Sequence, residues 1–184
     1  MNKILIMCEG PNEKKIMDIL LANDCLIFSN DNLLGLTPFF ARQISSSGQV
    51  KAELNQCPDK VDIYRVGDCQ NEKLAIPRDY WDKVGEIRKY CTKPELEMLL
   101  IISEGLNDEF EKVKSTTRAK MFAKMHIKLG KKKYDNSTRF YEDYFGNNVD
   151  GLVSAIKEYK RIKGRSHDKS ELCLADLIKL DWGA

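Results

Sequence analysis

An apolar run near the start of the chain leads into an acidic residue, a glycine and a proline, and this order strongly constrains the fold. Residues 4–8 (Ile-Leu-Ile-Met-Cys) predict a buried strand, and Gly10 followed by Pro11 predicts a turn into a helix. Glu9 then stands at the carboxyl end of the strand, where ligands collect in open α/β sheets. The alternative is that Glu9 only stabilises the N-terminus of the following helix.

A second apolar run ends in the same way. Residues 61–66 predict another strand, and Gly67 and Asp68 follow it. If the two strands are parallel neighbours, Glu9 and Asp68 lie at one edge of the sheet, where two carboxylates can share a proton or a hard cation such as Mg²⁺. The alternative is a turn aspartate that hydrogen-bonds to its own loop.

A third acidic position precedes an apolar helical stretch. Thr92 and Glu95 fit a capping box, which explains Glu95 through backbone donors alone. Glu97 has no such role, and the apolar residues 98–102 follow it directly. A partner charge or a metal therefore accounts for Glu97 better than solvent does.

Apolar spacing divides the chain into an alternating first half and a helical second half. It predicts strands at residues 4–8, 25–28, 61–66 and 86–91, and helices that begin at Pro11 and near Pro38. From Pro94 onward the spacing is helical almost throughout. We therefore predict an α/β fold with a parallel sheet flanked by helices: an α/β core over residues 1–113 and a basic helical extension over 114–184 packed on it.

Charge is distributed unevenly between these two parts. Residues 1–113 carry 14 Lys or Arg against 19 Asp or Glu, whereas residues 114–184 carry 16 against 9. The densest segment, residues 114–139, holds nine basic residues and one acidic residue. Such a density is typical of proteins that bind a phosphate backbone. The alternative is a set of solvated helix faces.

Composition excludes several other classes of protein. No apolar run approaches the roughly 18 residues that span a membrane, and the apolar stretch between Lys3 and Glu9 is too short for a secretory signal. The six cysteines form no Cys-x-x-Cys pair, which argues against structural zinc. A disulfide framework is not expected in a chain of this length without an export signal. We expect a cytoplasmic protein with reduced thiols and no membrane partner.

Several of these motifs resemble one family of folds. They are the apolar strand into Glu9-Gly10 with Glu13 beyond it, the strand end at Asp68, Pro94-x-x-Glu97, and Lys133-Tyr134 before Phe140-Tyr141. The first two resemble motifs of the TOPRIM fold of topoisomerases, primases and OLD-type nucleases. The later two are similar to the smaller RloB-type branch, which is associated with bacterial restriction and phage-defence loci.

The resemblance implies a four-stranded parallel sheet between helices and phosphodiester chemistry that uses Mg²⁺, or Mn²⁺ in its place. It implies that Glu9 is an acid/base or metal-contacting residue and that Asp68 is a metal ligand. TOPRIM enzymes usually carry a second Asp two residues after the first, whereas this chain has Gln70. The neutral oxygen of Gln70 weakens the predicted metal site unless another acid compensates.

Two functions from different classes follow. The first is a Mg²⁺-dependent nuclease in which Glu9, Asp68 and Glu97 hold the metal or move a proton, while basic side chains bind the phosphate backbone. Those basic residues are Lys120, Lys124, Lys128, Lys131, Lys132, Lys133 and Arg139. The second is a TOPRIM-like module that binds nucleic acid or a partner ATPase without cutting.

Overall fold

A five-stranded parallel sheet forms the centre of the fold. The computed structural model describes residues 2–68, 72–92, 96–163, 172–180 and 182. The strands are β1 (Lys3–Cys8), β2 (Phe39–Phe40), β3 (Val61–Gly67), β4 (Val84–Cys91) and, after the hairpin strands β5 (Lys128–Leu129) and β6 (Lys132–Lys133), β7 (Leu172–Cys173). Their order across the sheet is β2-β1-β3-β4-β7, and every neighbouring pair is parallel. The predicted α/β class with a parallel sheet flanked by helices is confirmed.

Seven α-helices lie in the described part of the chain. They are α1 (Pro11–Ala22), α2 (Gly48–Gln56), α3 (Met98–Ser103), α4 (Asn107–Val113), α5 (Ala119–His126), α6 (Thr138–Phe145) and α7 (Val149–Lys163). Five of them follow residue 94, as the apolar spacing predicts. None of these helices is long and apolar enough to cross a membrane.

The sheet separates two apolar clusters because successive side chains of a strand point to opposite faces. On β1, Ile4 and Ile6 join the cluster that includes buried residues of α1 and α3 to α7, whereas Leu5 and Met7 join the cluster that includes those of α2. The first cluster draws side chains from both sides of residue 113. The sheet edge that carries the acids is therefore supported by helices from both halves of the sequence.

Two of the predicted elements are wrong in type. Residues 25–28 form no strand: Leu26 makes only an isolated bridge to Ile178. Cys25, Leu26 and Phe28 are buried in the first apolar cluster without joining a ladder, whereas Ile27 is exposed. The stretch near Pro38 starts no helix, since Phe39 and Phe40 form β2 beside the end of β1. The helix begins instead at Gly48, where the Ser47 hydroxyl accepts from Val50 N at 3.3 Å.

The lysine-rich turn after α5 is a short antiparallel hairpin. β5 and β6 pair Lys128 with Lys133 and Leu129 with Lys132. The loop between them contains Gly130 at a φ of 59°, a conformation that glycine adopts at little cost. The hairpin forms a sheet of its own, separate from the central one.

Candidate functional site

Neighbouring strands bring Glu9 and Asp68 to the same edge of the sheet. Cys8 at the end of β1 is paired with Val66 of β3, and Glu9 N donates to Val66 O at 2.9 Å. A Cβ at Gly67 would lie 2.3 Å from the Glu9 carboxyl carbon. Glycine at this position is therefore what lets the Glu9 side chain fold over the end of β3.

The Glu9 carboxylate is buried and paired with an arginine. Glu9 is 6% exposed and Arg65 of β3 is 2% exposed, and Arg65 Nη2 lies 3.4 Å from Glu9 Oε1. Arg65 Nη1 also donates to the Glu72 carbonyl oxygen at 2.7 Å, and Arg42 Nε donates to the Glu9 carbonyl oxygen at 3.1 Å. A buried charge needs such a partner, and the partner offsets the charge of Glu9 at the sheet edge.

An open polar pocket of about 250 Å³ lies at this edge. Its described lining residues are Asn12, Glu13, Asp68, Leu96, Glu97, Lys120 and Asn136. It brings together two of the predicted catalytic acids, Asp68 and Glu97, with the predicted phosphate-binding residue Lys120. Glu9 is not among the described lining residues, and Glu13 of α1 supplies a third carboxylate.

Glu13 lies close to the other acids. Burial raises the pKa of its carboxyl group, and the negative charges of Asp68, Glu97 and Glu9 add to that rise. A Cβ at Gly10 would lie 2.4 Å from Glu13 Oε2, so the side chain turns back over the first turn of α1. The pocket therefore concentrates negative charge next to a helix N-terminus.

A buried tyrosine pair holds Glu97. Tyr134 Oη donates to Glu97 Oε1 at 2.8 Å, and the Tyr134 and Tyr141 hydroxyls are 3.0 Å apart. Burial and then the charge of Glu97 raise the pKa of both tyrosines above the usual range of a phenol. Both hydroxyls therefore stay protonated, and Tyr134 remains a donor to the carboxylate.

The Asn136 amide links this pair to Lys120. When its nitrogen donates to Glu97 Oε1 at 3.2 Å, its oxygen accepts from Lys120 Nζ at 2.9 Å. Asn12 Nδ2 donates to the Asn136 carbonyl oxygen at 3.2 Å, which ties α1 to the loop before α6. Asn136 adopts a φ of 63°, where asparagine is among the residues most often found. Side chains distant in sequence thus form one hydrogen-bonded wall of the pocket.

The oxygen atoms that line the pocket suit a hard divalent cation. Carboxylate and amide oxygens line it, and the repulsion that contributes to the raised pKa of Glu13 is what a cation would relieve. Among the described residues, no three Asp, Glu, His or Cys side chains are grouped as a ready-made metal site. An ion held by one or two carboxylates and several waters matches the usual coordination of Mg²⁺ in proteins. Gln70, the remaining predicted metal-contacting residue, lies outside the described residues, as does the predicted capping residue Glu95.

The predicted phosphate-binding residues divide between the pocket and the hairpin. Lys120 lines the pocket and Lys124 follows one turn later on α5, whereas Lys128, Lys131, Lys132 and Lys133 belong to the hairpin and are exposed. Two of the predicted residues share an acidic neighbour on α6, since Lys132 Nζ and Arg139 Nε lie 3.4 and 3.5 Å from the carboxylate oxygens of Asp143.

A scan against protein families and searches of curated proteins and of solved structures found no match to this chain.

Proposed function

We propose that the chain is a TOPRIM-like, Mg²⁺-dependent nuclease or a related phosphodiester-processing protein. One observation carries the proposal: three carboxylates and one lysine, from Glu13, Asp68, Glu97 and Lys120, line a single open pocket at the carboxyl edge of a parallel sheet. Ligands collect at this edge in open α/β sheets, and a cation together with a proton acceptor can promote the hydrolysis of a phosphodiester there.

Each side chain has a role that its surroundings support. Asp68 is exposed and Glu97 is held by Tyr134, so these two are the residues that would hold Mg²⁺. The ion would supply Lewis-acid stabilisation of the phosphate and a more acidic bound water. Burial and the neighbouring acids raise the pKa of Glu13, which makes it the carboxylate best suited to take up a proton, and Lys120 is placed to pair with a phosphate oxygen. Glu9, paired with Arg65, positions the end of β1.

Cleavage of labelled DNA and RNA oligonucleotides in Mg²⁺, Mn²⁺ or EDTA tests the proposal. We expect cleavage that depends on the divalent cation and is lost in Asp68→Asn and Glu97→Gln. Glu109→Gln is the matched control, because Glu109 is an exposed acid on α4 and does not line the pocket. Cleavage that survives in EDTA, or in both pocket variants, would contradict the assignment.

A module that binds nucleic acid or a partner ATPase without cutting is the second candidate. The Arg65–Glu9 pair favours it, because an arginine that neutralises a carboxylate withholds that group from a metal. Binding without cleavage in any of the three conditions, together with no detectable Mg²⁺ or Mn²⁺ binding by calorimetry, would select this candidate over the nuclease.

A further inference from the structure

Helix α5 and the hairpin that follows it present a mixed apolar and basic surface. Met121 and Met125, one turn apart on α5, are 56% and 52% exposed. Exposed lysines adjoin them along the chain. We call this the Met–Lys surface and define it by Lys120, Met121, Lys124, Met125, Lys128, Lys131 and Lys133.

The lysines of the Met–Lys surface are arranged at a cost to the fold. Lys128 and Lys133 stand directly opposite each other in the hairpin, and like charges in opposite positions destabilise a strand pair. Within the described part of the chain, Lys124, Lys128, Lys131 and Lys133 take part in no ion pair. An anionic occupant would relieve this repulsion, whereas a second copy of the same surface would increase it.

The Met–Lys surface is continuous with the acidic pocket. Lys120 belongs to both, because it lines the pocket and directly precedes Met121 on α5. A polyanion that lies along α5 would therefore reach the carboxylates. A chain of phosphates complements the positive charge of the lysines. Because Met121 and Met125 are apolar, the bound molecule should also carry apolar surface.

We propose that the Met–Lys surface binds single-stranded nucleic acid and leads it into the pocket. The lysines contact phosphates, and Met121 and Met125 pack against the faces of unstacked bases. In a duplex those faces are covered by stacking, so the thioethers gain little from double-stranded substrate. The inference rests on the proposed function, and it specifies the substrate class as a single strand.

Fluorescence anisotropy in EDTA tests this inference without any cleavage. We expect the double variant Met121→Gln and Met125→Gln to lose about tenfold in affinity for a single-stranded oligonucleotide while duplex affinity stays unchanged. Ile87→Gln is the matched control, since Ile87 is an exposed apolar residue of β4 outside the Met–Lys surface. Met121 and Met125 belong to neither apolar cluster of the described residues, and circular dichroism checks that each variant folds.

The lysines are tested by the dependence of affinity on salt. Lys124→Gln with Lys128→Gln should weaken single-strand binding and reduce the slope of log affinity against log salt by about 0.7 for each phosphate that is no longer neutralised. Equal binding by the methionine variant and the native chain, or no single-strand binding at low salt, would overturn the inference. Cleavage that persists in either case would leave the proposed nuclease function intact, so the two failures are distinguishable.

Discussion

Tyr134 provides a hydrogen bond to a carboxylate that is almost removed from solvent. Glu97 is 6% exposed, and the 2.8 Å bond from Tyr134 satisfies one of its oxygens. We predict that Tyr134→Phe lowers the free energy of unfolding by about 1.5 to 3 kcal/mol, the usual range for a hydrogen bond to a charged group. Urea denaturation near neutral pH measures the effect.

The matched control for this prediction is a second tyrosine–glutamate pair. Tyr144 donates to Glu104, and both residues lie nearer to solvent. Because water replaces the missing hydroxyl at an exposed carboxylate, Tyr144→Phe should cost less than about 1 kcal/mol. Equal losses in the two variants would mean that the burial of Glu97 does not strengthen its bond from Tyr134.

Glu13 makes the stability of the protein depend on pH. Its pKa is raised in the folded state, so the folded chain binds this proton more tightly than the unfolded chain does. The free energy of unfolding should therefore fall as the pH rises from the ordinary pKa of a glutamate through the raised pKa of Glu13. We predict that Glu13→Gln removes this fall, so that the variant is more stable than the native chain near pH 7 but not near pH 4.

Urea denaturation of both proteins across this range measures the difference. Adding Mg²⁺ near pH 7 should stabilise the native chain, because a cation favours the ionised carboxylate. Parallel curves of stability against pH for the native chain and for Glu13→Gln would contradict the prediction.

At the scale of elements, strands whose apolar run is buried on both faces could be predicted from the sequence. After its first residue β1 is a continuous apolar run, and β3 is mostly apolar, with Asp62 and Arg65 as its charged residues, because helices and loops cover both sides of the sheet. Residues 25–28 are apolar for another reason, since Cys25, Leu26 and Phe28 are buried in a loop that packs on the core. The two-residue strand β2 leaves almost no periodic pattern, because its position depends on pairing with β1.

Some residues of the candidate site could be predicted from the local sequence, whereas others depend on contacts between distant parts of the chain. Asp68 and Glu97 could be found because each is an acid at the end of a strand or at the start of a helix. Asn12 and Asn136 could not be predicted, since their hydrogen bond joins residues 124 positions apart and depends on how α1 packs beside α6. Arg65 was missed because an arginine inside a strand gives no sign of the carboxylate that it meets.

The hairpin offers a prediction in which stability and binding change in opposite directions. Lys133→Glu replaces a like-charged pair with Lys128 by an opposite-charged one, which should stabilise the fold by about 0.2 to 1 kcal/mol. The same change should weaken nucleic-acid binding. Thermal denaturation and fluorescence anisotropy measure the two effects.

Lys132→Glu is the control for the hairpin prediction, since Lys132 lies 3.4 Å from Asp143 and faces Leu129 across the hairpin. It should weaken binding as well, but it should destabilise the fold by placing two acids together. A gain in stability from both variants would mean that overall charge, and not the pairing across the hairpin, sets the effect.

At the scale of the whole molecule, the pocket needs both halves of the sequence. Glu13 and Asp68 come from the first half, Lys120 and Asn136 come from the second, and Glu97 bonds to Tyr134 across the division. The apolar cluster on the α1 side crosses residue 113 as well. Because both the site and the core take residues from either side of residue 113, they favour a single folding unit, although the net charge of the two parts differs in sign.

We predict that residues 1–113 do not fold cooperatively when they are expressed alone. In this fragment, α1 and the sheet face that packs against it would lose the buried side chains of α5 to α7. These include Phe122, Phe140, Tyr141 and Phe145. Each buried aromatic contributes on the order of 3 to 5 kcal/mol by truncation to alanine, which together exceeds the total stability of most domains. Calorimetry should show one two-state transition for the full chain and none for the fragment. Two separate transitions in the full chain, or a sharp one in the fragment, would instead establish residues 1–113 as an independent core that carries the basic helices as an addition.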